Sequence, residues 1–73
     1  MSAQARTEVL AVCGMHCGGC ERTVTRAVER VPGVVRAHAD FVAEEVEVVF
    51  AAGRADLDAV RAAVSAAGFT PGS

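Results

Sequence analysis

Three cysteines lie close together near the start of the sequence. Cys13, Cys17 and Cys20 fall within eight residues, and no cysteine follows them in the 73-residue chain. An odd number of cysteines this close together does not form the spread pairs of a disulfide framework. The cluster instead predicts thiols that bind a soft metal ion or exchange with disulfides.

Cys17 and Cys20 are separated by two glycines, at a point where a predicted strand leads into a predicted helix. The first amide groups of a helix are unpaired and carry partial positive charge. We therefore expect both thiols to be more acidic than an ordinary cysteine. Gly18 and Gly19 allow the backbone to turn tightly enough for both sulfurs to face one point. Two such thiolates suit Cu(I) best, and Zn(II) if further ligands join.

Other sites with closely spaced cysteines fit less well. A c-type haem site needs histidine directly after the second cysteine, where Glu21 stands, and a zinc ribbon needs a second ligand pair downstream. The spacing also fits radical S-adenosylmethionine enzymes, but 73 residues cannot form their large barrel. A thioredoxin-like dithiol oxidoreductase stays open, because it too places such a pair where a strand meets a helix. The short chain without tryptophan disfavours it.

The hydrophobic periodicity changes several times along the chain and predicts six elements. They are a strand at Thr7–Cys13, a helix at Cys20–Val31, strands at Val34–Phe41 and Glu45–Phe50, a helix capped by Asp56 and stopped by Gly68, and a last strand of two or three residues. This β-α-β-β-α-β order predicts an α+β, ferredoxin-like sandwich, with two helices on one face of an antiparallel sheet. We expect residues 1–73 to form a single domain.

The apolar pattern within these elements predicts which side chains form the core. In the first helix the pattern selects Val24, Ala27, Val28 and Val31, and in the second Leu57, Val60, Val64 and Ala67. In the two middle strands it selects Val35, Ala37, Ala39 and Phe41, then Val46, Val48 and Phe50. The link at 42–45 carries no tight-turn signal, and residues 51–53 are predicted to form a loop.

Composition and charge exclude several functions. Most apolar residues are alanine or valine, which predicts a thin core with little room for a deep substrate pocket. Seven arginines against nine acidic residues give a net charge of −2, which argues against nucleic-acid binding. Arg6 and Glu8 interrupt the apolar residues near the start, and no apolar run approaches the length that spans a bilayer, so we expect neither a signal peptide nor a membrane-spanning segment in these residues. Together with free thiols, this indicates a cytoplasmic protein.

The segment Gly14–Cys20, GMHCGGC, resembles the G-M-x-C-x-x-C motif of the heavy-metal-associated domain family. This family includes copper chaperones and the metal-binding domains of P-type metal-transporting ATPases. The resemblance covers most of the chain, and it includes the segments Pro32–Val34 and Ala67–Phe69. It implies a βαββαβ fold and a non-enzymatic role in copper transport and homeostasis. In that role Cys17 and Cys20 hold Cu(I) and pass it on by thiolate exchange.

The resemblance also implies partners for the chain. These are a P-type metal-transporting ATPase or its metal-binding domain, and a copper-responsive regulator is a further candidate. A homodimer bridged by metal is another alternative. Arg22, Arg26 and Arg30 recur every four residues in the first predicted helix. This basic stripe is either a solvated face or a docking surface for an acidic partner.

Two residues depart from the family pattern and leave the metal open. Cys13, predicted to face outward at the end of the first strand, is either a third sulfur ligand or a small apolar filler. His16 either adds a nitrogen ligand, which would favour Zn(II) or another divalent ion, or points to solvent. The family implies that Met15 anchors the loop in the core and that Phe69 lies beside the site, although ordinary core packing fits Phe69 equally well. His38 is expected at the surface.

Overall fold

The computed structural model describes residues 5–51 and 56–72. Its elements, in chain order, are β1 (Arg6–Cys13), α1 (Gly18–Glu29), β2 (Val34–Asp40), β3 (Glu45–Phe50), α2 (Leu57–Ala66) and β4 (Thr70–Pro71). The predicted order of strands and helices is confirmed, including the very short last strand. The predicted loop at 51–53 lies outside the described residues except for Ala51.

The four strands form one antiparallel sheet in the order β2-β3-β1-β4. In the centre of the sheet, Leu10 of β1 lies opposite Val46 of β3. The inward side chains of the strands form a single apolar cluster with the buried residues of α1 and α2. Both helices therefore cover the same face, as the α+β ferredoxin-like prediction requires. Neither helix is long and apolar enough to cross a bilayer within the described residues.

Valine side chains form most of the core. Val24 and Val28 of α1 and Val60 and Val64 of α2 are completely buried, as is Phe50 of β3. Burying one such side chain contributes roughly 1.5–3 kcal/mol relative to exposure. No polar or charged side chain is buried among the described residues. The core thus fixes where β1 ends and α1 begins. The loop that carries the cysteine pair, as the term is used below, is the segment 14–20, which comprises the connection after β1 and the first residues of α1.

Helix α1 begins and ends two residues earlier than predicted. Cys17 is extended, with φ −163° and ψ 176°, and its carbonyl accepts the N–H groups of Cys20 at 3.0 Å and Glu21 at 3.1 Å. Gly18 is thus already helical, and the glycine penalty that argued for a loop is outweighed by the buried stripe of the helix. At the other end, Val31 precedes a proline and is disfavoured from helical conformation.

Strand β2 contains a bulge that the alternating pattern does not reveal. Ala37 and Ala39 are buried as predicted, but Val35 is 64% exposed, so its predicted inward orientation is wrong. The register shifts between Val34 and Arg36, which lie opposite consecutive residues of β3. The extra residue turns Val35 away from the core.

Helix α2 begins and ends as the sequence predicts. The Asp56 Oδ1 accepts the N–H of Ala59 at 3.1 Å, which makes Asp56 the N-cap. Val60 and Val64 are buried, whereas Leu57 and Ala67, also predicted in the core, are half-buried. Gly68 adopts φ +96° directly after the helix, a conformation that favours glycine.

A turn at residues 41–44, called the β2–β3 turn below, joins the two middle strands. The Asp40 Oδ1 accepts the N–H groups of Val42 at 2.9 Å and Ala43 at 3.3 Å. Glu44 adopts φ +56°, which is uncommon for a residue with a side chain. The aspartate therefore supplies the turn signal where no glycine is present.

Candidate metal centre

The loop that carries the cysteine pair is anchored from below by Met15. This side chain is 3% exposed and belongs to the core cluster, which confirms its predicted anchoring position. Gly14 precedes it with φ +104°, and the ring of Phe69 lies 3.6 Å from the point where a β-carbon at Gly14 would stand. Phe69 is half-buried and packs against the core, so it lies next to the loop and against the core at once.

Cys17 and Cys20 present their sulfurs to one another. Both are free thiols, and their Sγ atoms are 3.9 Å apart. Metal–thiolate bonds of about 2.3 Å allow two sulfurs on one ion to lie up to about 4.6 Å apart. The pair therefore fits a single thiophilic ion without a large movement. Cys17 is exposed, whereas Cys20 is half-buried and packs against the core.

The start of α1 favours the ionised form of Cys17. The pKa of the Cys17 thiol is lowered chiefly by the backbone N–H of Cys20, then by the N–H of Gly19 and the Cys20 thiol, with a smaller contribution from the charge of Arg22. Within the described residues, however, the Cys17 side chain forms no N-cap hydrogen bond with α1. The amides thus stabilise negative charge on the sulfur without being fully engaged by it.

Three hydrogen bonds hold the residues around the pair. The Thr23 hydroxyl donates to the Gly19 carbonyl at 3.0 Å within α1. The N–H of Phe41, in the β2–β3 turn, donates to the Glu21 Oε2 at 2.9 Å. The N–H of Val12 donates to a carbonyl of the same turn at 2.8 Å. The Glu21 contact is not predictable, since an acidic residue in a first helical turn is favoured by the helix dipole alone.

Cys13 and His16 are both exposed and stand apart from the pair. Cys13 ends β1 and lies opposite Thr70 of β4. Across residues 5–51 and 56–72, no three His, Cys, Asp or Glu side chains form a group that could hold a metal ion. The structure brings Cys17 and Cys20 together and does not bring a third such side chain to them. The ligand roles of Cys13 and His16 stay predictions.

The remaining predicted surface residues are exposed. Arg22, Arg26 and Arg30 all face solvent, as does His38. An open groove of about 680 Å³ separates α1 from α2 and is lined by Arg26, Arg30 and a series of alanines. No cysteine lines this groove, so it is separate from the cysteine pair. The basic stripe therefore begins with Arg22 near the pair and ends with Arg26 and Arg30 at the groove.

Comparison with known proteins identifies the family of the chain. Residues 9–70 match the family model described as the heavy-metal-associated domain. The chain is 41% identical over 63 residues to Copper-transporting ATPase 2 of Rhizobium meliloti (strain 1021), covering 86% of this chain and only 8% of that protein. It is 34% identical over 67 residues to the mercuric transport protein periplasmic component of Shigella flexneri, covering 92% of this chain and 74% of that protein.

A solved structure has the same fold. The structure of the CopZ metallochaperone superposes with a TM-score of 0.85 and 25% identity. The superposition covers 92% of this chain and all of that chain.

Proposed function

This chain belongs to the heavy-metal-associated domain family, and from that premise we propose that it binds one Cu(I) ion between Cys17 and Cys20 and passes it to a partner protein. The observation that carries the proposal is the 3.9 Å separation of two free sulfurs at a helix start. The chain would act as a carrier rather than an enzyme, with residues 1–73 as one metal-binding domain.

The number of ligands favours Cu(I) over Zn(II). Structural zinc sites are almost always four-coordinate, and catalytic ones use three protein ligands. Soft thiolate ligands suit both Cu(I) and Zn(II), so the small number of ligands, rather than their type, favours Cu(I) here. Zn(II) would need Cys13, His16 or a partner's side chains as well, which requires the loop to rearrange. A metal-bridged pair of chains would supply the same additional ligands.

The unequal exposure of the two cysteines supports an order in which they release the ion. A partner thiolate first reaches the ion beside the exposed Cys17 and forms a third sulfur–copper bond. The bond to Cys17 then breaks, and the ion stays with Cys20 until a second partner thiolate replaces that sulfur. The lowered pKa of Cys17 makes it a good leaving group, because its thiolate is stable once released.

The partner we propose is a P-type copper ATPase or its metal-binding domain. This choice is supported by the Rhizobium meliloti relative, which is named a copper-transporting ATPase and contains a segment that matches this chain. Arg22 next to the pair would attract an acidic surface on that partner and raise the rate of encounter. Free thiols suit a cytoplasmic location. A copper-responsive regulator is a second partner class that meets the same chemical requirement.

Anaerobic titration with Cu(I) against a chromogenic chelator tests the proposal. We expect one Cu(I) per chain, with binding lost in Cys17→Ser and in Cys20→Ser but kept in the matched control Cys13→Ser. Equal affinity in all three variants would exclude the proposed site.

Competing ions decide the cargo. Hg(II) belongs in the same titration because one relative is named a mercuric transport protein, and Zn(II) because His16 could recruit it. If the chain retains Hg(II) or Zn(II) in preference to Cu(I), that ion is the cargo instead. Thiol-dependent reduction of insulin by the metal-free chain would favour a dithiol oxidoreductase instead.

A further inference from the structure

The β2–β3 turn contacts both ends of the loop that carries the cysteine pair. The Glu44 carbonyl accepts the N–H of Val12 at 2.8 Å, directly before Cys13. The N–H of Phe41 donates to the Glu21 carboxylate at 2.9 Å, directly after Cys20. The two chain segments that enter and leave the loop are therefore held by one four-residue turn.

The first turn of α1 has little intrinsic stability. It starts with Gly18 and Gly19, and glycine is among the poorest helix formers. Cys17 makes no strict cap bond among the described residues, and the Thr23 hydrogen bond is local to the helix. The hydrogen bond from Glu21, in the first turn of α1, to Phe41, in the β2–β3 turn, therefore restricts movements of the helix start that α1 alone would permit.

The acceptor and donor of the Glu21 contact are both well placed. Glu21 is half-buried, and Phe41 packs against the core, which fixes its amide. Hydrogen bonds that involve an ionised carboxylate are shorter and stronger than neutral ones. The turn is held on its other side by the Asp40 side chain. The contact thus ties α1 to a turn that is itself constrained.

We propose that Glu21 is a positioning residue for the metal pair. By accepting the Phe41 N–H, it keeps the first turn of α1, and with it Cys17 and Cys20, in place against the β2–β3 turn. Loss of this contact lets the loop open more often and release its ion faster. The inference rests on the proposed function, because release of Cu(I) is one of its readouts.

The negative charge of Glu21 is a competing explanation with the opposite consequence. A carboxylate beside two thiolates repels them, so removing its charge would tighten metal binding. Two conservative variants separate the explanations. Glu21→Gln removes the charge and keeps an oxygen that can accept at the same reach. Glu21→Asp keeps the charge and shortens the side chain by one methylene.

The experiment compares full-length wild type, Glu21→Gln and Glu21→Asp, with Glu29→Gln as the control on the same helix. Stopped-flow release of Cu(I) to excess chelator and amide hydrogen exchange in the metal-free protein are measured for each. We expect Glu21→Asp to release Cu(I) roughly tenfold faster, as the loss of one hydrogen bond to a charged group implies. Exchange at Phe41 and Cys20 should accelerate with it. Glu29→Gln should behave as wild type. Glu21→Gln keeps the acceptor without its charge, so its release and exchange rates should lie between those of wild type and Glu21→Asp.

Two results would overturn the inference. Slower release in Glu21→Gln with unchanged release in Glu21→Asp would assign the effect to charge. Wild-type release and exchange in Glu21→Asp would show that the contact positions nothing. If the wild type itself fails to bind Cu(I), the proposed function is lost, but exchange at Phe41 and Cys20 in the metal-free variants still decides whether Glu21 holds the first turn.

Discussion

The two helices begin in opposite ways, although both present unpaired amide groups to the surface. At α2, Asp56 caps the helix with its own carboxylate at 3.1 Å from the Ala59 nitrogen. At α1, the N-cap position is Cys17, followed by two glycines, and its sulfur makes no strict cap bond within the described chain. At the start of α2 a side-chain carboxylate accepts one of the unpaired amides, whereas at the start of α1 the amides face a thiol.

This difference separates stability from function. A carboxylate cap satisfies orphan amides and stabilises the helix whether or not any ligand is present. A thiol at the same position satisfies them weakly, and in return the amides lower the pKa of the Cys17 thiol. The α1 start thus loses helix stability and gains a reactive sulfur. Substitutions at the two helix starts should therefore have opposite profiles.

The largest expected effect is the loss of metal binding in Cys17→Ser. Removing a direct ligand should weaken Cu(I) binding by more than the roughly 10–100-fold typical for loss of an outer partner. In the metal-free chain, the free energy of unfolding should stay the same or rise by up to about 1 kcal/mol, because Cys17 is exposed and serine is a better N-cap than a thiol. Chelator competition and urea unfolding of the same samples measure both quantities. A large loss of stability would contradict the separation.

Asp56→Ala should show the reverse profile. Loss of the N-cap should lower the free energy of unfolding by about 1 kcal/mol. For a domain of this size, that corresponds to a fall in Tm of roughly 4–8 °C. Cu(I) affinity should stay at the wild-type value.

Asp58→Ala is the matched control for this cap on the same helix. Asp58 forms an exposed pair with Arg61 at 3.2 Å, and its side chain is 97% exposed. Exposed pairs of this kind contribute roughly 0.2–1 kcal/mol. We therefore expect Asp58→Ala to lower the free energy of unfolding by less than Asp56→Ala does. An equal or larger loss in Asp58→Ala would mean that the cap bond is not the main stabilising contact at the start of α2.

A smaller, few-fold effect is expected in the pH dependence of alkylation at Cys17. Because folding lowers the pKa of this thiol, a larger fraction is thiolate at neutral pH than in the unfolded chain. Iodoacetamide should modify Cys17 of the metal-free folded protein a few-fold faster than in urea near pH 7, since thiolate fraction outweighs the reduced nucleophilicity. The advantage should disappear above the ordinary thiol pKa of about 8.5, where both forms are ionised. Site-resolved mass spectrometry would show equal rates near pH 7 if the amides had no influence.

The smallest expected effect comes from Gly18→Ala. A β-carbon at this helical position meets no atom within 4 Å, so alanine should stabilise the start of α1 by up to about 0.5 kcal/mol. Gly14→Ala is the contrasting control, because Gly14 has φ +104° and alanine there would be strained. Urea unfolding should give opposite signs for the two. Destabilisation by Gly18→Ala would mean that the glycine is required for the loop itself.

The sequence predicts the elements well because their cores are regular. Strict alternation in β3 and the four-residue spacing of Val24 and Val28 assign buried faces that the structure confirms. The Asp56 cap was also predictable, since an aspartate directly before an apolar helical pattern has a local cause. Each of these features depends on residues close together in the chain.

Features that depend on distant residues were not predictable. The outward orientation of Val35 arises from a shift in its pairing with β3, and the alternating pattern within β2 gives no sign of that shift. The helical state of Gly18 depends on packing further along α1, against the local preference of glycine. The Glu21 contact joins residues twenty positions apart. At the site, the sequence predicted which two cysteines meet, but the tie that holds their turn to the sheet appears only in three dimensions.

The bulge at Val35 has a consequence for how this molecule meets others of its kind. Strand β2 lies at the edge of the sheet, where unpaired backbone groups invite a strand from another molecule. A bulge breaks the regular spacing of those groups and increases local twist, so a second sheet cannot extend the ladder along the whole strand. Arg36 and His38 add polar side chains to the same edge strand. The β2 edge is therefore a poor template for a continuous sheet shared with another molecule, and the carrier role proposed above would benefit from this whenever the chain meets a domain of the same fold.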